Sequence, residues 1–214
     1  AHPGVDLITE IVESIPDGLT VIATGPLTDA PLAKAIGAKA GRESLYFYDA
    51  IAPIIDADSI DWTIVWRQSR YDKGDEAAYA NIPLSEEQYN QFVSDVINGD
   101  QVRSHDFENE TFFEGCLPIE VMAQRGAQTL AFGPMKPVGL VDPRTGKQPF
   151  AVAQLRMENV DATAWNMVGF QTRLKYPAQR SIFRTLPGLE NAEFLRYGSV
   201  HRNTYLHAPS LLTE

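Results

Sequence analysis

Leu19-Thr20-Val21-Ile22-Ala23-Thr24-Gly25-Pro26 decides how the first part of the chain is read. Its compact β-branched run suits a strand buried on both faces. The run stops at small residues and a glycine, where a bare backbone lets a ligand approach the carboxyl end of a strand. Thr28 or Asp29 then caps a helix predicted to reach about Ile36, with Gly37 able to end it. Leu45-Tyr46-Phe47-Tyr48 returns as a second buried strand. Upstream, residues 5–12 read as another strand, set off by the turn signal Pro16-Asp17-Gly18. The order strand, helix, strand is that of an α/β unit. An ordinary tight strand-to-helix turn gives the same pattern, because Ala-Thr-Gly alone is a weak motif.

The texture changes after Asp49-Ala50-Ile51-Ala52-Pro53. Residues 62–67 alternate and read as a strand, residues 70–77 as a polar loop and residues 79–84 as a short strand. Ser85-Glu86-Glu87-Gln88 is a capping box, and Tyr89, Phe92, Val93, Val96 and Ile97 behind it make one apolar helix face. Asn98-Gly99 closes that helix. Pro118 suits the first turn of a helix over residues 119–125, ended by Gly126. Residues 130–139 read as a loop and Asp142-Pro143-Arg144-Thr145-Gly146-Lys147 as a hairpin tip. Residues 150–157 and 163–172 are two further strands, residues 175–186 a helix stopped by Pro187-Gly188, and residues 192–205 strand structure. The expected organisation is an α/β domain over residues 1–55, an α+β insertion over residues 56–195 and a return to the first domain over residues 196–214.

The charge is unevenly spread. Residues 1–120 carry 22 acidic and 7 basic side chains, and residues 121–214 carry 6 and 11, within a net charge of −10. The overall sign argues against a general nucleic-acid binder, yet a local basic face still lets a polyanion dock. Arg173, Lys175, Arg180 and Arg184 form the densest part of that face. No apolar run approaches the ~20 residues that cross a bilayer, so no membrane partner is expected. A single cysteine excludes an internal disulfide and fits a reducing cytoplasm. No cysteine-rich zinc site is possible, and His105 within the acidic run of residues 105–110 reads as a solvated loop, so no metal is expected.

Two stretches concentrate chemistry. Arg196-Tyr197-Gly198-Ser199-Val200-His201-Arg202-Asn203-Thr204-Tyr205 offers stacking faces and hydrogen-bond donors within one short run. It reads either as a polar edge strand or as a surface for a flat, anionic or heteroaromatic ligand. Cys116, in Phe113-Glu114-Gly115-Cys116-Leu117-Pro118, would sit just before a helix N-terminus, which favours a thiolate. Glu114 works against that if it is ionised nearby.

Several stretches together resemble the flavin- and folate-dependent tRNA uracil-5-methyltransferases of the TrmFO type. They are Val21-Ile22-Ala23-Thr24-Gly25-Pro26-Leu27-Thr28, Leu45-Tyr46-Phe47-Tyr48-Asp49-Ala50, the Cys116 motif, Phe132-Gly133-Pro134-Met135-Lys136-Pro137, Gly169-Phe170-Gln171-Thr172-Arg173-Leu174, Pro187-Gly188-Leu189-Glu190-Asn191-Ala192 and the run from Arg196 to Tyr205. The related GidA/MnmG-type wobble-uridine flavoproteins share the style of flavin domain. The resemblance implies a part of an FAD-binding, Rossmann-like α/β domain interrupted by an α+β insertion. It implies an enzyme that carries a one-carbon unit from methylenetetrahydrofolate through FAD to C5 of a tRNA uridine, with NAD(P)H as reductant.

By the same resemblance Cys116 attacks the uracil ring or assists the attack. Ala23, Thr24 and Gly25 approach FAD, and His201, with Arg202 and Asn203 as polar contacts, packs on the folate pterin. Neither Gly-x-Gly-x-x-Gly nor a P-loop occurs in the chain. The expectation is therefore a fragment that needs the remainder of its polypeptide, holding FAD weakly and inactive alone. The other reading is a non-enzymatic RNA- or protein-binding module that uses the basic face.

Overall fold

A computed structural model describes residues 2–25, 27–40, 45–73, 78–102 and 117–205. The chain divides into two compact units, Ala1–Tyr48 with Arg202–Glu214, and Asp49–His201. In the first unit, helix α1 (Ala30–Lys39) starts at Asp29 and carries Pro31 in its first turn, where a missing N–H costs nothing. Gly37 does not end this helix; it is one of its buried residues.

Residues 5–12 and 19–23 are not strands. Both run as exposed irregular backbone, with Leu7 88% and Leu19 105% exposed. β-branched composition alone does not make a strand, because a strand buried on both faces needs a neighbour to bond and layers to cover it. No described strand pairs with either run.

The second unit is built on a six-stranded sheet in the order β3-β4-β5-β6-β2-β7, from β2 (Ile54–Asp56), β3 (Trp66–Arg67), β4 (Tyr79–Leu84), β5 (Ala151–Met157), β6 (Ala164–Met167) and β7 (Phe194–Arg196). Every pairing in it is antiparallel. The longest register runs from Tyr79 opposite Arg156 to Leu84 opposite Ala151. Five successive residues of β5, Ala151 to Leu155, are buried, as befits a central strand covered on both faces. A separate two-stranded sheet pairs β1 (Leu45–Ile51) with β8 (Ser199–Tyr205). Strands and helices together make a mixed α/β protein.

Helix α2 (Glu86–Asn98) forms as its sequence dictates. The Ser85 hydroxyl accepts from the Gln88 N–H at 3.2 Å, and the Gln88 side chain accepts from the Ser85 N–H at 2.9 Å. Tyr89, Phe92, Val93 and Val96 are buried. Phe92 meets Phe170 and Phe183 at 5.8 and 6.4 Å, the heart of the core. Gly99 closes the helix for a different reason from the one its sequence predicts. Its φ is −61°, not left-handed, and a Cβ there would lie 2.5 Å from Leu174 and 2.7 Å from Ile182.

Elsewhere the elements shorten. Residues 62–65 turn instead of extending, because the Asp61 carboxylate accepts from the Thr63 N–H and hydroxyl at 2.9 and 2.6 Å. Those bonds also hold the Asp61 carboxyl below its usual range. Residues 129–132 form a short helix, α4 (Thr129–Phe132), which takes over the first three residues of the expected loop; the Tyr89 hydroxyl accepts from the Ala131 N–H and donates to the Ala127 carbonyl. The hairpin tip is present, with Asp142 bridged to Lys147. Three indoles gather on this unit: Trp66 lies on β3, and the Arg67 guanidinium sits 5.0 and 5.1 Å from the rings of Trp62 and Trp165.

Candidate functional site

Helix α5 (Tyr176–Phe183) and the link between β7 and β8 meet at one corner of the second unit. Pro177 in the first turn of α5 fixes where the helix begins. Gln179, one turn in, is fully buried. Its side-chain amide donates to the carbonyls of Leu174 and Gly198 at 2.6 and 2.8 Å, and its oxygen accepts from the Gly198 N–H at 2.8 Å. One glutamine thus joins the segment entering α5 to the link entering β8. Only glycine fits at position 198, because a Cβ would come within 2.5 Å of Thr172 and 2.8 Å of the Ile51 carbonyl oxygen.

That junction aligns three rings. Phe194 and Tyr197 stack at 5.1 Å and 19°, and Tyr197 and Tyr176 stack at 4.8 Å and 16°. Tyr197 is the middle ring, half-buried, and Tyr176 ends the column at 56% exposure. A cavity of about 390 Å³ opens beside Tyr176. Val102, Leu174, Pro177 and Val200 give it an apolar lining, and Arg173 and Lys175 stand in its wall. Arg173 donates to the Gln101 side chain at 2.9 Å, and Lys175 pairs with Asp100 at 3.0 Å in the open, a bond of little energetic weight.

The basic candidates separate here. Arg180 is exposed on α5, one turn beyond Tyr176. Arg184 caps the end of that helix and donates twice to the Ala192 carbonyl, at 3.0 and 2.7 Å, so its guanidinium is tied into the turn. Among the folate candidates, His201, Arg202 and Asn203 fall in strand β8. The flavin candidates Ala23, Thr24 and Gly25 lie in exposed backbone of the first unit. There the Thr24 and Thr28 hydroxyls bond each other at 2.6 Å, and the Thr28 hydroxyl donates to the Gly25 carbonyl. Gly25 has a left-handed φ of 74° and open space on its Cβ side. Cys116 lies outside the described residues, as does the acidic run of residues 105–110.

Helix α3 (Ile119–Gln124) follows the cysteine motif and starts at Pro118, close to its sequence-predicted bounds. Its second residue, Glu120, is fully buried. One carboxyl oxygen receives a short hydrogen bond from the Thr172 hydroxyl, and the other has no hydrogen-bond partner among the described residues. Burial pushes the Glu120 carboxyl above its ordinary value, with the Thr172 bond and the Arg173 charge pulling the other way. Neither Glu120 nor the Tyr176–Gln179 pair stands out by residue type. The only trace in sequence is an exposed aromatic set directly before a helix-starting proline, with a glutamine two residues further on.

The profile of the family described as Glucose inhibited division protein A matches residues 4–214. The chain is 55% identical over 214 residues to the methylenetetrahydrofolate–tRNA-(uracil-5-)-methyltransferase TrmFO of Staphylococcus carnosus, covering 100% of this chain and 49% of that one. It is 56% identical over 211 residues to the protein of the same name from Brevibacillus brevis, covering 99% of this chain and 48% of that one. The chain thus spans about half the length of the curated relatives it matches. Among solved structures, GidA of Aquifex aeolicus in its form II crystal aligns with 79% of this chain and 26% of its own, at 14% identity and a TM-score of 0.47. With all but its first three residues matched, the chain belongs to the Glucose inhibited division protein A family.

Proposed function

We propose that this chain is part of a methylenetetrahydrofolate-dependent tRNA (uracil-5-)-methyltransferase of the TrmFO type, working in the cytoplasm with FAD and NAD(P)H. The observation that carries the proposal is identity of 55–56% over essentially the whole chain to proteins of that name. When bound, the flavin supplies the relay for the one-carbon unit and the electrons. The backbone at Gly25 fits a close-approaching ligand, since among the described residues nothing stands within 4 Å of the space its missing Cβ would take. Ala23 and Thr24 flank that open point in the sequence.

Cys116 is the proposed nucleophile. Its sulfur adds to the ring carbon next to C5 of the uracil, which makes C5 nucleophilic toward the incoming carbon. His201 is the proposed stacking face for the pterin, with Arg202 and Asn203 at its polar edges. Arg173, Lys175 and Arg180 are the proposed phosphate contacts on tRNA, with Arg184 a weaker candidate because Ala192 already holds it. The proposed partners are tRNA, the folate substrate and the remainder of the polypeptide. The test is methylation of unfractionated tRNA by the full-length protein. Cys116→Ala should abolish methyl transfer while leaving the fold and tRNA binding intact; unchanged turnover would remove the cysteine from the mechanism, and a wild-type protein that methylates no tRNA would remove the proposal.

A further inference from the structure

The column Phe194–Tyr197–Tyr176 ends in the open. Tyr197 has a ring on each face, whereas Tyr176 has one ring neighbour among the described residues and is 56% exposed. A hydrophobic column that only packed the core would bury its last ring. This ring instead lines a cavity of about 390 Å³, within the ~300–1,000 Å³ typical of small-ligand sites. Two cations, Arg173 and Lys175, lie in the wall of the same cavity, and the exposed Arg180 and Arg196 follow Tyr176 by four residues and precede Tyr197 by one. Asp100 answers Lys175 through an exposed pair that screening weakens. The backbone under the platform is also preformed: the buried Gln179 amide bonds both chain segments that carry the two tyrosines.

We propose that Tyr176 is a stacking platform for one unpaired base of RNA, with Arg173 and Lys175 taking the flanking phosphates. Every base has a π-face, and single-stranded nucleic acid is bound by such alternation of aromatic faces with cations. An acidic or apolar protein segment would use the cations or the cavity, but it would leave the flat end of the column unmatched. The proposal rests on the tRNA reading above and adds to it a specific contact.

The test uses the full-length protein, unfractionated tRNA and a short single-stranded oligonucleotide carrying 2-aminopurine, whose fluorescence falls on stacking. Tyr176→Ala should weaken binding of both RNAs on the order of tenfold and abolish the quenching. Tyr176→Phe should keep both, since the ring and not the hydroxyl does the stacking. The salt dependence of binding should be the same for all three proteins, because no phosphate contact is lost. Wild-type affinity in Tyr176→Ala, or loss in Tyr176→Phe equal to that in Tyr176→Ala, overturns the platform while the tRNA reading stands. So does a Tyr176→Ala protein that loses methylenetetrahydrofolate binding and keeps tRNA. A wild-type protein that binds no tRNA overturns both.

Discussion

Replacing Gln179 by leucine should cost far more than one side chain's worth of contacts. The two residues have similar volume, so the cavity left is small, and the effect falls on hydrogen bonding. Three buried bonds vanish together, to the Leu174 carbonyl at 2.6 Å and to the Gly198 carbonyl and N–H at 2.8 Å each. The backbone groups stay buried, and each unmet group costs roughly 1–3 kcal/mol. Some relaxation lets water reach part of the set, so the expected loss is about 3–5 kcal/mol, a large share of an ordinary domain's stability. With a urea slope of about 2 kcal/mol/M, the midpoint should fall by roughly 2 M with the slope unchanged. Urea titration of the second unit's transition measures this. Amide hydrogen exchange locates it, since Gly198 should lose protection before the core of α2 does. A loss under about 1 kcal/mol, or a Gly198 amide as protected as before, would refute the assigned clamp.

Other outcomes follow from the same geometry. The carboxyl of Glu120 titrates above its ordinary 4.5 in the folded protein, so its protonated form is the one the fold favours. The stability this gives is fully present below the unfolded value and is lost as pH rises through the folded one. Glu120→Gln, which keeps the shape without the charge, should flatten that fall and raise the urea midpoint at neutral pH; a steeper fall would reverse the assignment. Arg180→Glu and Arg184→Glu should part company despite their shared helix. The first should weaken tRNA binding and flatten its salt dependence with thermal stability unchanged. The second should lower the melting temperature, because it removes two hydrogen bonds to Ala192.

What sequence could disclose depended on how locally each element is determined. The capping box at Ser85 and the hairpin tip at residues 142–147 are set by neighbours within a few residues, and both form as the sequence predicts; β4 also keeps its predicted bounds, with β5 present to pair it along its whole length. Residues 62–65 were lost to a competitor equally local, the Asp61 side chain bonding Thr63. The runs at residues 5–12 and 19–23 failed for the opposite reason, since a strand is completed by partners distant in sequence. Gly99 and Gly198 show the same limit. Each is a glycine because of side chains some 25–85 residues away, a crowding that no turn rule reports. The ring column is likewise set by contacts distant in sequence. Tyr176 and Tyr197 lie 21 residues apart, and only the buried amide of Gln179 explains why they face each other.

The gathering of the indoles has an optical consequence. All three tryptophans of the chain, Trp62, Trp66 and Trp165, belong to the unit of residues 49–201, and residues 1–48 and 202–214 contain none. Trp165 is fully buried and touches Trp62 edge-on at 5.4 Å, with the Arg67 cation against both rings. Intrinsic fluorescence excited at the indole band therefore reports one unit and is blind to the other. A melting curve read that way describes the sheet of β2 to β7, while the segment around Gly25 can order or unfold in the dark.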